Sequence, residues 1–246
     1  MLIEKLRELA VTEAGDVRVA TVRIGISYTA VTLEDNRTGL AYTRRDDLAA
    51  CCGVLREAGS LAGGPVHELL AMLGDAHGLR ASVALAAANA LLNRSELDYA
   101  TGDVLDELRL EDGEHMAMIG FFGPLIPKLR ARGLRLSVFD RNIEHPAVLP
   151  MTELPRVLPD CTSAIVTATS LLDSSIEDLL PLLTNCRVAA MTGASTPLAP
   201  AVFAKTPISL LSGVICEAPE AILTIIGEAG GTQAFAPYVK KVNMRC

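Results

Sequence analysis

Two stretches of this 246-residue chain place hydroxyl side chains at the same distance behind a short apolar run. VTATS sets Thr167, Thr169 and Ser170 behind Ala164–Val166, and MTGASTPLAP sets Thr192, Gly193, Ser195 and Thr196 behind Val188–Met191. Hydroxyls and free backbone N–H groups at a helix start hold anions, worth about 0.3–1 kcal/mol at an exposed site. The same residue types also cap helices by accepting from the orphan N–H groups. One such turn reads as a cap. Two at matching positions point to one wall of a pocket for an anionic ligand, and Thr196→Val is then expected to weaken binding with little change in stability.

A third stretch, IGFFGPL, contributes Gly120, Phe121 and Gly123, and Asp140 follows Gly120 by twenty residues. That is the spacing between the glycine turn and the ribose-binding acid of a dinucleotide unit. Phe121 and Phe122, however, fill the tight-turn positions, and Pro124 offers no N–H, so a plain strand-to-helix turn explains the residues equally well. The following FDRNIEHP gathers Asp140, Asn142, Glu144 and His145, which could hold a ribose, an amine or a metal, or serve only as turn-makers. Arg141 and Lys205 are available to balance ligand charge. GxSxG, HExxH and Walker-lysine motifs are missing, and His67-Glu68 reads as a structural helix start.

The elements that must position these residues fall into two patterns. Residues 2–10 carry Leu2, Ile3, Leu6 and Leu9 on one helical face. Alternation from Val17, then over Tyr28–Leu33 and Leu40–Thr43 around the turn EDNRTG, predicts an antiparallel meander. Helices follow at 65–73 and 81–92, so the first part reads as an α+β module, with 93–113 as a polar linker. Thereafter apolar strands at 116–119, 134–139, 164–167, 188–191 and 208–211 alternate with helices at 125–131, 174–183 and 219–228. That alternation predicts a doubly wound parallel sheet, whose ligand site lies at the carboxyl ends of the strands where strand order reverses. The expected domains are 1–110 and 111–246.

Composition narrows the partners. The formal charge is −7, with no basic run longer than Arg44-Arg45 or Lys240-Lys241, whereas phosphate-backbone binding needs a clustered positive stripe. Nucleic acid is therefore not expected. The longest apolar stretch, Val83–Leu92, is too short to span a bilayer, and the charged N-terminus is not a signal peptide or an anchor. Cys51, Cys52, Cys161, Cys186, Cys216 and Cys246 form no CxxC or zinc spacing. They read as buried, reduced thiols of a cytoplasmic protein. Adjacent Cys51-Cys52 could chelate a soft metal, but adjacent side chains usually point apart, so burial of at least one is the plainer reading. A homo-oligomer is compatible with the apolar first helix and is not required by it.

GFFGPLIPKLR, the DRN after the next strand, TGASTPLAP, LLSGV and GEAGGTQAF…KKVNMR occur in an order that resembles a prokaryotic family of unknown function named for heavy-metal chelation. GLAYTRRDD, LAGGP and AAANALLN extend the resemblance over nearly the whole chain. It implies an enolase N-terminal-like module followed by a Rossmann-like domain, a site at their interface, and a role in metal handling or metal-cofactor metabolism. A transition metal is the cofactor it brings in; the motifs themselves specify none. The expected function is binding of a small anionic molecule or metal chelate in the interdomain cleft. The alternative is an enzyme using a nucleotide-type cofactor, S-adenosylmethionine or a dinucleotide, with Asp140 on the ribose.

Overall fold

The structure, a computed structural model, describes residues 1–45, 55–141 and 145–246. Cys51, Cys52, Asn142 and Glu144 lie outside the described residues. Helix α1 (Leu2–Ala14) buries Leu2, Ile3, Leu6, Ala10 and Ala14 along one face. Strands β1 (Val19–Ile24), β2 (Tyr28–Leu33) and β3 (Thr38–Tyr42) then form the expected antiparallel meander in that spatial order. Asn36 takes a left-handed φ of 68° in the turn between β2 and β3. Two helices follow, α2 (Val66–Leu70) and α3 (Gly78–Leu92). In α3 every residue but Arg80 is buried, as a helix apolar on all sides requires. It lies on β2 and β3 and is flanked by α1 and α2.

The stretch expected as a linker holds strand β4 (Ala100–Thr101) and helix α4 (Val104–Glu107). Then come β5 (His115–Ile119), α5 (Ile126–Ala131), β6 (Arg135–Phe139), β7 (Val148–Leu149), α6 (Leu154–Val157), β8 (Ser163–Thr167) and α7 (Ile176–Leu179). The chain ends through β9 (Val188–Thr192), α8 (Pro200–Phe203), β10 (Leu210–Cys216), α9 (Pro219–Gly227), α10 (Thr232–Phe235) and β11 (Val239–Arg245). Among the described residues the second sheet has eight strands in the order β4-β11-β10-β9-β8-β5-β6-β7. The six from β10 to β7 run parallel. Strand β11, which the sequence pattern did not announce, pairs antiparallel with β10 along its whole length and with β4 on its other side.

Chain direction fixes where a ligand can enter. From β5 the chain winds outward to β6 and β7, then crosses back to β8 and continues the other way to β9 and β10. Strand order therefore reverses between β5 and β8, and the crevice lies beyond Ile119 and Thr167. A single buried apolar cluster runs from α1, α2 and α3 into the β5, β8 and β9 face of the parallel sheet. No helix among the described residues is long and apolar enough to cross a membrane.

The opposite end of β5 carries a pH-sensitive contact. The His115 ring Nε2 lies 2.9 Å from Ser137 Oγ. Burial, and then the charge of Arg135, hold the imidazole below its ordinary pKa. The unfolded chain takes up this proton at about pH 6.5, before the folded chain does, so His115 contributes stability that is lost as pH falls below that value. Urea midpoints are expected to drop between pH 7.5 and 5, and to drop less in His115→Gln.

Candidate functional site

At the switch point the end of β5 must pass close to the end of β8. Gly120 does so at φ +96°, and a Cβ there would meet Thr167 Cβ at 2.7 Å. Glycine is the residue that accepts both the left-handed φ and the close approach. The Gly120 N–H donates to the Phe139 carbonyl at 2.8 Å, and the Phe121 N–H donates to Asp140 Oδ2 at 2.9 Å. Asp140 thus ties the turn after β5 to the end of β6. Across the crevice, Thr169 N–H donates to Thr167 Oγ1 at 3.3 Å, the two hydroxyls lie 3.0 Å apart, and Ser170 Oγ donates to the Thr167 carbonyl at 2.7 Å. Asp173 accepts the Ser175 N–H at 3.0 Å and pairs with Arg141.

These groups border a cavity of about 130 Å³, closed from the other side by Tyr42 and Arg44 at the end of β3. The Arg44 guanidinium reaches over the crevice and donates to the Leu172 carbonyl at 3.2 Å, while its backbone N–H donates to Ser82 Oγ at 3.0 Å. The cavity therefore draws its walls from both the meander and the parallel sheet. Ile119, Met151, Leu172 and Leu179 supply its apolar side.

Of the residues singled out in the sequence, Gly120, Asp140, Thr167 and Thr169 border this cavity, as does Arg141. Phe121 and Gly123 border a second cavity of about 230 Å³ together with His145, and the Phe121 and His145 rings lie 6.4 Å apart. Lys205 and the His67-Glu68 pair are exposed elsewhere. Tyr42, Arg44 and Asp173 were not singled out as cavity residues. The only hint of the first two was GLAYTRRDD, a segment with no strand-end signature of its own.

TGASTPL occupies a seam. Thr192 and Ser195 are buried, and Thr196 is fully so. The Tyr42 N–H donates to Ser195 Oγ at 2.8 Å. Asn89 Nδ2 donates to the Ser195 carbonyl at 3.0 Å and to the Leu40 carbonyl at 2.8 Å. Gly193, at φ +122°, makes the turn, accepting the Thr196 N–H at 3.0 Å. Thr192, Gly193, Ser195 and Thr196 join the end of β9 to α3 and β3 and do not border the 130 Å³ cavity. Because Thr196 Oγ1 is buried without a hydrogen-bond partner among the described residues, Thr196→Val is expected to leave thermal stability unchanged or raise it, by up to about 1 kcal/mol. A loss above that size in a melting experiment would show that the hydroxyl is bonded.

The described residues do not fit a directly ligated heavy metal. Among them no group of three His, Cys, Asp or Glu side chains could hold an ion. Burial, reinforced by the neighbouring Cys186, pushes the Cys161 thiol up to about 12. Burial likewise pushes Cys216 to about 12 and Cys186 to about 11, while Cys246 is exposed at the chain's end.

The architecture is a mixed α/β fold of an antiparallel three-strand sheet and a mostly parallel eight-strand sheet that meet at a switch-point cleft. The chain belongs to the family described as "Putative heavy-metal chelation". The DUF364 model of that description matches residues 103–245, and the DUF4213 model, of the same description, matches residues 7–92. Two solved structures share the fold. A DUF364-family protein of unknown function from Pyrococcus horikoshii has a TM-score of 0.88 at 18% identity, covering 100% of both chains. Another, from Desulfitobacterium hafniense DCB-2, has a TM-score of 0.81 at 21% identity, covering 99% of both chains. No curated protein matches the chain.

Proposed function

We propose that two modules, residues 1–110 and 111–246 with β4 lending its edge to the second sheet, enclose a binding site for a small molecule that bears an anionic group, or for the metal chelate of such a molecule. The observation that carries this reading is the cavity at the β5/β8 switch point, bordered by Arg44 of the first module and by Thr167 and Thr169 of the second. A guanidinium offers five N–H donors in a plane that suits a carboxylate or phosphate. Metal enters here as the ligand's cargo, because the described side chains offer it no cluster of their own. Nothing in the site specifically favours the nucleotide-cofactor alternative. At about 130 Å³ the cavity is well below the roughly 300–1,000 Å³ of pockets that bury larger ligands.

Calorimetry against acetate, succinate, citrate and inorganic phosphate, free and as nickel or cobalt chelates, tests the proposal. At least one should bind, and Arg44→Gln should weaken that binding at least tenfold while the variant keeps its circular-dichroism spectrum. A ligand bound equally well by Arg44→Gln would place the site elsewhere.

A further inference from the structure

The cleft has two unlike sides. Thr167 and Thr169 bring hydroxyls to one of them. On the other stand Ile119, Met151, Leu172 and Leu179, whose side chains are hydrocarbon apart from one thioether. Ile119, Leu172 and Leu179 are buried members of the apolar cluster that runs from the first module into the parallel sheet, and Met151 packs against it. The floor of the cleft is therefore the edge of the core. Leu179 is held firmly there, because α7 is tied to the start of α1 through Glu177, whose carboxylate accepts the Ile3 N–H at 3.3 Å. Met151 differs. It is half-buried, it opens the short helical turn after β7, and its unbranched side chain adapts to what it touches.

A hydroxyl or a second anionic group laid on this floor would give up water and meet only apolar side chains among the described residues, which burial penalises. A methylene fully covered there gains roughly fourfold in affinity, about 0.8 kcal/mol. Resting on the reading above that this cleft takes an anionic group, we infer that its ligand is a short aliphatic acid, one anionic group on a hydrocarbon body, and that Met151 and Leu179 gauge the length of that body. The anionic end lies toward Thr167 and Thr169. The hydrocarbon end lies on the floor.

The test varies the body of the acid and then the wall. Acetate, butyrate, hexanoate, 4-hydroxybutyrate and succinate are titrated into the full chain by calorimetry. Affinity should rise at least threefold from acetate to butyrate and fall at least threefold from butyrate to hexanoate. 4-Hydroxybutyrate and succinate, which carry a polar group at the far end, should bind at least fivefold more weakly than butyrate. Met151→Ala, at the less buried position, and Leu179→Ala shorten the wall. At least one, with its circular-dichroism spectrum kept, should raise the affinity for hexanoate relative to butyrate fivefold or more. Acetate, hexanoate or succinate binding as tightly as butyrate overturns this inference and leaves the anion-binding reading intact. So does a hexanoate-to-butyrate ratio that is the same in the original chain and both variants, or binding of phosphate, citrate or a chelate with none of any aliphatic acid. No binding by these acids or by the anions and chelates above overturns both readings.

Discussion

Gly39→Ala should destabilise the protein by about 3 kcal/mol or more and sharply reduce its soluble yield. Gly39 sits in β3 where the strand crosses α3. A Cβ there would lie 2.1 Å from the Ala90 N and 2.2 Å from the Ala86 O. Both atoms are helix backbone, so no rotamer change relieves the overlap and the helix must lift from the sheet. Ordinary overpacking costs about 1–3 kcal/mol when side chains can yield, and here they cannot. Helix α3 also carries Asn89 and is capped by Asn93, the side chains that hold the turn after β9, so the shift would disturb the cleft as well as the core. Gly227→Ala is the matched control, because its Cβ would meet nothing nearer than the flexible Arg23 side chain at 3.7 Å. Equal urea midpoints for the two variants would refute the close-approach argument.

How much of this was legible in the sequence depended on whether a feature is set by neighbours along the chain. The parallel strands announced themselves as short apolar runs ending in Gly, Asp or Thr, because a strand buried on both faces has no polar side to alternate. Strand ends are where such sheets bind, so Gly120, Asp140, Thr167 and Thr169 could be named from local pattern alone. Strand β11 could not. VKKVNMR mixes charge with apolar residues and shows no clean alternation, and its strand character comes from pairing with β10 and β4 on either side. Arg44 reaches the cavity only because the meander docks against the sheet, a tertiary fact with no local signature.

Hydroxyl-rich turns were ambiguous for a different reason. Thr167 and Ser195 satisfy backbone groups through the same oxygen chemistry that would hold a ligand, so residue type alone cannot separate the two. Burial and partners do. Thr167 is half-buried at the cavity, while Ser195 is closed over by the Tyr42 N–H. Asn93 misled in the opposite sense. After an apolar helix it reads as the first residue of a polar linker, yet it is buried and fully engaged.

Asn93 also supports the second large effect. Its Nδ2 donates to the Thr196 carbonyl at 2.9 Å and to the Val214 carbonyl at 3.2 Å, and its Oδ1 accepts the Leu198 N–H at 2.8 Å. One amide therefore satisfies three backbone groups on two segments, the turn after β9 and strand β10. Asn93→Ala leaves all three without that partner in a largely buried site. At roughly 1–3 kcal/mol for each buried group left unsatisfied, with carbonyls at the low end, the expected loss is about 3–5 kcal/mol. Asn93→Asp keeps the shape but turns an acceptor and a negative charge towards two carbonyl oxygens, and should cost at least as much. Ser195→Ala, which removes only the acceptor for Tyr42, should cost about 1–2 kcal/mol. Chemical denaturation of the three variants gives the ranking directly, and a loss for Asn93→Ala no larger than that for Ser195→Ala would show that the seam does not depend on this amide. The ranking bears on binding because Tyr42 is shared: it borders the cavity and its N–H is fixed on Ser195. Loosening the seam should therefore weaken ligand affinity under conditions where the variant is still folded, whereas substitutions on exposed faces of equal destabilisation should not.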